Sequence, residues 1–74
     1  MIKELDIVVL TRDLSENRLA AGDVGTVVLE HAGRRGFEVE FQTLTGETLA
    51  VVTVPADSVR SASSDEIAHV RRVA

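Results

Sequence analysis

A chain of 74 residues with a formal net charge of −4 and no cysteine describes one small domain that neither disulfides nor zinc–thiolate ligation can staple, so apolar packing or a partner has to stabilise it. The acidic balance argues against a nucleic-acid binder whose affinity rests on neutralising phosphates. No apolar run approaches the about 20 residues of a membrane span and no charged-then-apolar signal pattern is present, so a cytoplasmic, membrane-free protein is the default expectation.

Forty-five per cent of the residues are apolar, yet Phe37 and Phe41 are the only aromatics. The core is therefore expected to be built from Val, Leu and Ile, which suits closely packed strands. Leu5 to Leu10 reads as a first strand, almost wholly apolar, as a strand covered on both faces would be. Thr11 to Ala21 is a polar connection carrying Arg12, Asp13, Glu16, Asn17 and Arg18, pinned by Leu14 and Leu19. Gly22 and Gly25 then flank Asp23-Val24 and favour a bend, because glycine reaches positive φ or admits a second backbone without steric cost. Thr26-Val27-Val28 follows as a β-branched run that starts the second strand as the bend ends.

Phe37, Val39 and Phe41 alternate with Glu38, Glu40 and Gln42, the clearest period of two in the chain, and the apolar set is assigned to the core. With a loop at Thr43 to Glu47, parity places Phe41 opposite Leu49, Val39 opposite Val51 and Phe37 opposite Thr53. A loop at Ala32 to Gly36 similarly sets Leu29 opposite Val39 and Val27 opposite Phe41. The other face then carries Val28, Ala50 and Val52 lined by Glu30, Glu38 and Glu40, with Glu30 directly opposite Glu38. Opposed like charges are unfavourable, so this acid-lined apolar stripe asks for a reason.

The single proline opens Pro55-Ala56-Asp57-Ser58, expected as one helical turn because proline at a first-turn position loses no needed N–H. Val59-Arg60 follows as a short closing strand. In the tail, Ser63-x-x-Glu66 fits a capping box, with Arg71 and Arg72 in the last turn and Ile67, Val70 and Val73-Ala74 on one side. A short helix is favoured there, with an edge strand as the alternative.

Gly22-Asp23-Val24-Gly25-Thr26-Val27 after a long polar loop resembles the second strand of SH3-like barrels, including the KOW-type modules of transcription and ribosomal proteins. Taken with the strand at Leu5–Thr11, with Phe37–Phe41, Gly46–Thr48 and Val51–Val54, and with the tail at Asp65–Arg71, the chain is similar to a bacterial family known only as domain of unknown function 4926. That resemblance implies an all-β, five-stranded SH3-like barrel over residues 1–60, with residues 61–74 as an extension packed on it as a helix or strand. It implies no reaction, cofactor or ligand, and no functional residue is carried over from it.

His31 and His69 are the groups that titrate near neutrality when unperturbed, but neither has the supporting pattern of a catalyst, and no serine lies on a glycine elbow with a base. Glu30, Glu38 and Glu40 lack the pocket and further oxygens that acid–base or cation chemistry needs. No enzyme, cofactor or metal site is assembled. The expected role is a protein-interaction module, antitoxin-like, immunity-like or an accessory subunit, binding through its sheet surface and first loop. Its expected site is Val28, Glu30, Glu38, Glu40, Ala50 and Val52, open to another protein, to a second copy of the chain or to the tail. In the last case Ile67 and Val70 would lie on the stripe and Arg71 and Arg72 would reach the glutamates. The competing reading is a nucleic-acid module acting through Arg34 and Arg35 at a hairpin tip, with Arg12 and Arg18 as neighbours; the committed aromatics leave it no base-stacking platform.

Overall fold

The computed structural model describes residues 1–73, the side chain of Arg34 excepted; Ala74, placed above on the apolar side of the tail, lies outside them. Five strands, β1 (Ile7–Leu10), β2 (Val24–Glu30), β3 (Gly36–Gln42), β4 (Thr48–Pro55) and β5 (Val59–Ser61), form one antiparallel sheet in the order β4-β3-β2-β1-β5. Single 3₁₀ turns at Ser15–Asn17, Ala32–Arg34 and Ala56–Ser58 are the only helical segments among the described residues. The sheet is all-β as the periodicity predicts, and it remains open, with β4 and β5 at its two edges.

Every strand contributes to one core: Val8 and Leu10 from β1, Val27 from β2, Phe37, Val39 and Phe41 from β3, Val54 from β4 and Val59 from β5. Leu19 closes it from the β1–β2 connection, with Ile2, Leu14, Val52 and Ala56 packed against its margin. A fully buried aliphatic side chain contributes about 1.5–3 kcal/mol, which is how so small a chain does without a staple.

The connection between β1 and β2 is ordered by its own backbone. Leu14 and Leu19 exchange N–H to C=O bonds of 2.8 and 3.1 Å, and Arg18 turns the corner in the left-handed region at φ 59°. The two glycines serve different ends. Gly22 sits at φ 94° in the tight turn. Gly25 is buried and has no room for a side chain, since a Cβ there would stand 2.5 Å from Val39 Cγ1 and 2.9 Å from Phe41 Cε1.

Three expectations are corrected. The first strand begins at Ile7, because Leu5 lies in a turn at φ 72° and is 78% exposed. The registers also differ. Beside the β3–β4 turn, Gln42 faces Thr48 as parity requires, but a bulge at Leu49 then shifts the ladder by one, pairing Phe41 with Ala50, Val39 with Val52 and Phe37 with Val54. In β2–β3, Glu30 faces Phe37 and Leu29 faces Glu38, and a bulge at Val28 brings Val27 opposite Val39. A bulge opposes two residues to one, so each turns part of a strand over.

The third correction concerns the tail. Residues 62–73 form neither helix nor strand. Half of the capping box is made, since Glu66 accepts the Ser63 N–H at 2.8 Å, but no helix follows the turn. A segment this short is marginal without an apolar groove beneath it, and Ile67 and Val70 are 91% and 71% exposed.

Candidate functional site

Because directly paired residues share a face of the sheet, the ladders define the surface opposite the core. One row runs Ile7, Thr26, Glu40, Val51 across four strands, and a second runs Leu29, Glu38, Thr53. Ile7, Leu29 and Val51 are 47%, 49% and 56% exposed. The acid-lined apolar face is thus built from a different apolar set than parity suggested. Ala50 and Val52 lie opposite Phe41 and Val39 on the core side, Glu30 lies opposite Phe37 and is half-buried, and Val28 occupies the bulge. Of the six residues expected together, only Glu38 and Glu40 pair into the outer rows. The expected clash of Glu30 with Glu38 is absent because the two are on opposite faces.

Glu38 and Glu40 are held in place by neighbouring hydroxyls. Thr48 Oγ1 donates to Glu40 Oε2 at 2.6 Å, and Gln42 Nε2 donates weakly to the same oxygen at 3.4 Å. Thr53 Oγ1 approaches both oxygens of Glu38, at 2.9 Å from Oε2, and His31 Nε2 stands 3.9 Å from Glu38 Oε1. A carboxylate fixed by such neighbours has less rotamer freedom left to lose in any further contact.

A cleft of about 430 Å³ lies elsewhere, between the start of β2 and the β3–β4 turn, walled by Leu19, Val24, Phe41, Leu44 and Leu49 and bordered by the tail at Ala68–Arg71. At its rim the Asp23 carboxylate accepts the Ala20 N–H at 2.8 Å and a two-pronged contact from Arg71, whose Nε lies 2.7 Å from Oδ1 and whose Nη2 meets Oδ2. The same Nη2 donates to the Arg18 carbonyl at 3.1 Å. The Arg71 guanidinium, with smaller help from the Ala20 N–H, holds the Asp23 carboxyl below its ordinary range. A second attachment joins Arg60 to Glu66 through paired contacts of 2.9 and 2.7 Å; that guanidinium and the Ser63 N–H bring Glu66 down to about 2. The tail therefore runs to Asp23 on the first loop, and not to the glutamates of the sheet.

The expected nucleic-acid residues are not gathered into one patch. Arg12 and Arg18 belong to the β1–β2 connection, where β2 begins, whereas Arg35 follows the 3₁₀ turn where β2 ends. Arg12 stands 3.7 Å from Asp57, and the side chain of Arg34 lies outside the described residues. Phe37 and Phe41 are 3% and 2% exposed. Among the described residues no three His, Asp or Glu side chains gather as a metal site, and no helix is long and apolar enough to cross a membrane.

The family model described as a domain of unknown function (DUF4926) matches residues 4–61. The chain belongs to that family. The match runs from the turn before β1 to the end of β5, so Asp23, Glu38 and Glu40 lie inside it and Arg71 lies outside. No curated protein and no solved structure matches the chain.

Of the sheet-face residues missed from the sequence, Leu29 and Val51 were hidden by the two bulges, and Ile7 by the reading of the first strand as covered on both faces. Both bulged positions, Val28 and Leu49, are ordinary strand formers, so nothing in the residue types marks them. The Arg71–Asp23 pair joins residues 48 apart, and no local pattern signals such a contact.

Proposed function

We propose that this chain is a non-enzymatic protein-interaction module with an SH3-like fold. The long ordered connection after β1, the β2–β3–β4 meander and the 3₁₀ turn leading into a β5 that returns to β1 support that assignment of fold. The observation that carries the function is the outer sheet face, where Ile7, Leu29 and Val51 are about half exposed around two carboxylates already fixed by threonines. A surface with an apolar centre and acidic fixtures suits a partner that offers apolar side chains within a basic rim. With the net charge of −4, such pairing also speeds encounter with a basic partner. An antitoxin-like, immunity-like or accessory subunit that covers a basic surface fits this description, and a cytoplasmic setting fits the absence of a staple.

The test is capture from extract of the native host at moderate salt by tagged wild type, by Glu38→Lys with Glu40→Lys, and by Arg34→Ala with Arg35→Ala. The reading expects one basic protein retained by wild type and the arginine variant and lost from the lysine variant, with all three chains melting alike. Equal retention by all three would remove the sheet face from the account. Retention of nucleic acid alone, abolished by the arginine variant and falling steeply with salt, would replace it with a KOW-like module.

A further inference from the structure

The Asp23 rim is a formed guanidinium site with an apolar cleft beside it, and the chain's own tail fills only the first of the two. Three acceptor atoms from outside the tail converge on Arg71: both oxygens of Asp23 and the Arg18 carbonyl. The tail itself adds only the Arg72 carbonyl, 3.2 Å from Nη1. The Arg18 carbonyl belongs to a turn held by the Leu14–Leu19 backbone bonds and by Arg18 N–H to Ser15 C=O at 3.1 Å. Asp23 is oriented by the Ala20 N–H and by its own N–H on the Ala20 carbonyl at 3.0 Å. Asp13, anchored by accepting the Ala21 N–H at 2.9 Å, adds a second negative charge that Arg71 feels. A planar fork of donors matches such a set in a way that a lysine ammonium does not.

The cleft next to it is less well served. Its walls at Val24, Leu44 and Leu49 remain 41%, 82% and 42% exposed although Ala68, Val70 and Val73 of the tail line its other side, Val70 itself being 71% exposed. The tail is therefore attached by its arginine and covers the apolar wall only in part. It also lies outside the span that the family model matches, whereas Asp23 and Arg18, which receive the guanidinium from across the fold, lie inside it.

We infer that this rim and cleft recognise an arginine-bearing extended segment of a partner protein, one that sets its guanidinium on Asp23 and an apolar neighbour against Val24, Leu44 and Leu49, and that the tail is a resident competitor displaced on binding. Charge complementarity selects the occupant: two aspartates and a carbonyl demand a cation, and their geometry demands arginine. Residues 62–73, without secondary structure of their own, leave little ordered structure to disrupt on release. The inference shares with the preceding section the premise that the chain works by binding, but it uses different residues, so failure of the sheet face and failure of the cleft are separate outcomes.

The probe is a fluorescent peptide copying residues 63–74, titrated by anisotropy into the full chain. In wild type the tethered tail competes at an effective concentration in the millimolar range. Arg71→Ala in the protein is expected to tighten peptide binding about tenfold by removing that competitor. The same substitution in the peptide, which leaves the protein untouched, is expected to abolish binding, as is Asp23→Asn in the Arg71→Ala chain; Asn still offers an oxygen to the Ala20 N–H, so the turn is retained. Equal affinity of wild type and Arg71→Ala, no binding to either, or binding that survives loss of the peptide's arginine would overturn the inference. So would a wild-type mass by light scattering that is dimeric and becomes monomeric with Arg71→Ala, because the site would then serve exchange of tails between copies.

Discussion

The sheet and the tail are held by different physics. From Ile7 to Ser61 the chain is fixed by strand ladders around side chains withdrawn completely from water, with Val8, Val27, Val39 and Val54 at 0% exposure. Beyond the Ala62 N–H on the Ile7 carbonyl at 3.2 Å there is no ladder as far as residue 73, the large apolar side chains Ile67 and Val70 are mostly exposed, and attachment rests on two arginine–carboxylate pairs with the Arg18 carbonyl beside one of them. Apolar burial is cooperative and hard to undo locally, whereas exposed ion pairs add little to global stability and open singly. The family match follows the same division, covering the sheet and stopping at residue 61. The sheet is thus the fixed part of this protein and the tail the conditional one.

Damage to the sheet gives the largest effect. Gly25→Ala puts a methyl group into space already taken by Val39, Phe41 and the Glu40 carbonyl, with 3.0 Å to that backbone oxygen. Overpacking of this kind costs about 1–3 kcal/mol, a large share of the roughly 4–11 kcal/mol expected of a domain this size. Urea unfolding should show a lowered midpoint with an unchanged slope. An unaffected midpoint would mean that the core is looser than described.

Much of that sheet is legible in the residues themselves. The alternation of Phe37, Val39 and Phe41 gives β3 and its buried face, the β-branched run after Gly25 gives β2, and Pro55 gives the 3₁₀ turn ahead of β5. Ladder register is less accessible, because parity assumes unbroken pairing and the bulges at Val28 and Leu49 break it without glycine or any other mark. For the site, Glu38 and Glu40 were accessible as outward residues of an alternating strand, while their apolar companions depended on the lost register. The tail illustrates the limit differently. Its capping pattern is real, as the Glu66 to Ser63 contact shows, but a local signal cannot say whether a groove exists to carry the helix onward.

Effects on the tail are smaller and turn on pH. Asp23 and Glu66 both have lowered values in the folded chain, so each attachment is complete above the ordinary carboxylate range, about 3.9–4.3, and is lost only as pH falls through the folded value, which for Glu66 is about 2. Side-chain N–H signals of Arg60 in NMR spectra should stay protected at pH 4 and broaden toward pH 2, and those of Arg71 should broaden only below the ordinary carboxylate range. Arg71→Ala should leave the thermal midpoint unchanged and raise tryptic cleavage after Arg72 several-fold, since cleavage follows the population of the open form. Release of both attachments already at pH 5 would place the tail's hold elsewhere.

The proposed interaction face depends on the bulge at Leu49, which turns Val51 outward and Val52 toward the core, and this is what most needs measuring. The direct test is the unfolding free energy of Val51→Asp beside that of Val52→Asp, adjacent residues given the same charge. With Val52 packed against the core and Val51 56% exposed, Val52→Asp should cost about 2 kcal/mol or more. Val51→Asp, meeting only its cross-strand neighbour Glu40, should cost less than about 1 kcal/mol. Equal costs, or the larger cost at Val51, would restore the unbulged register and contradict the face described here.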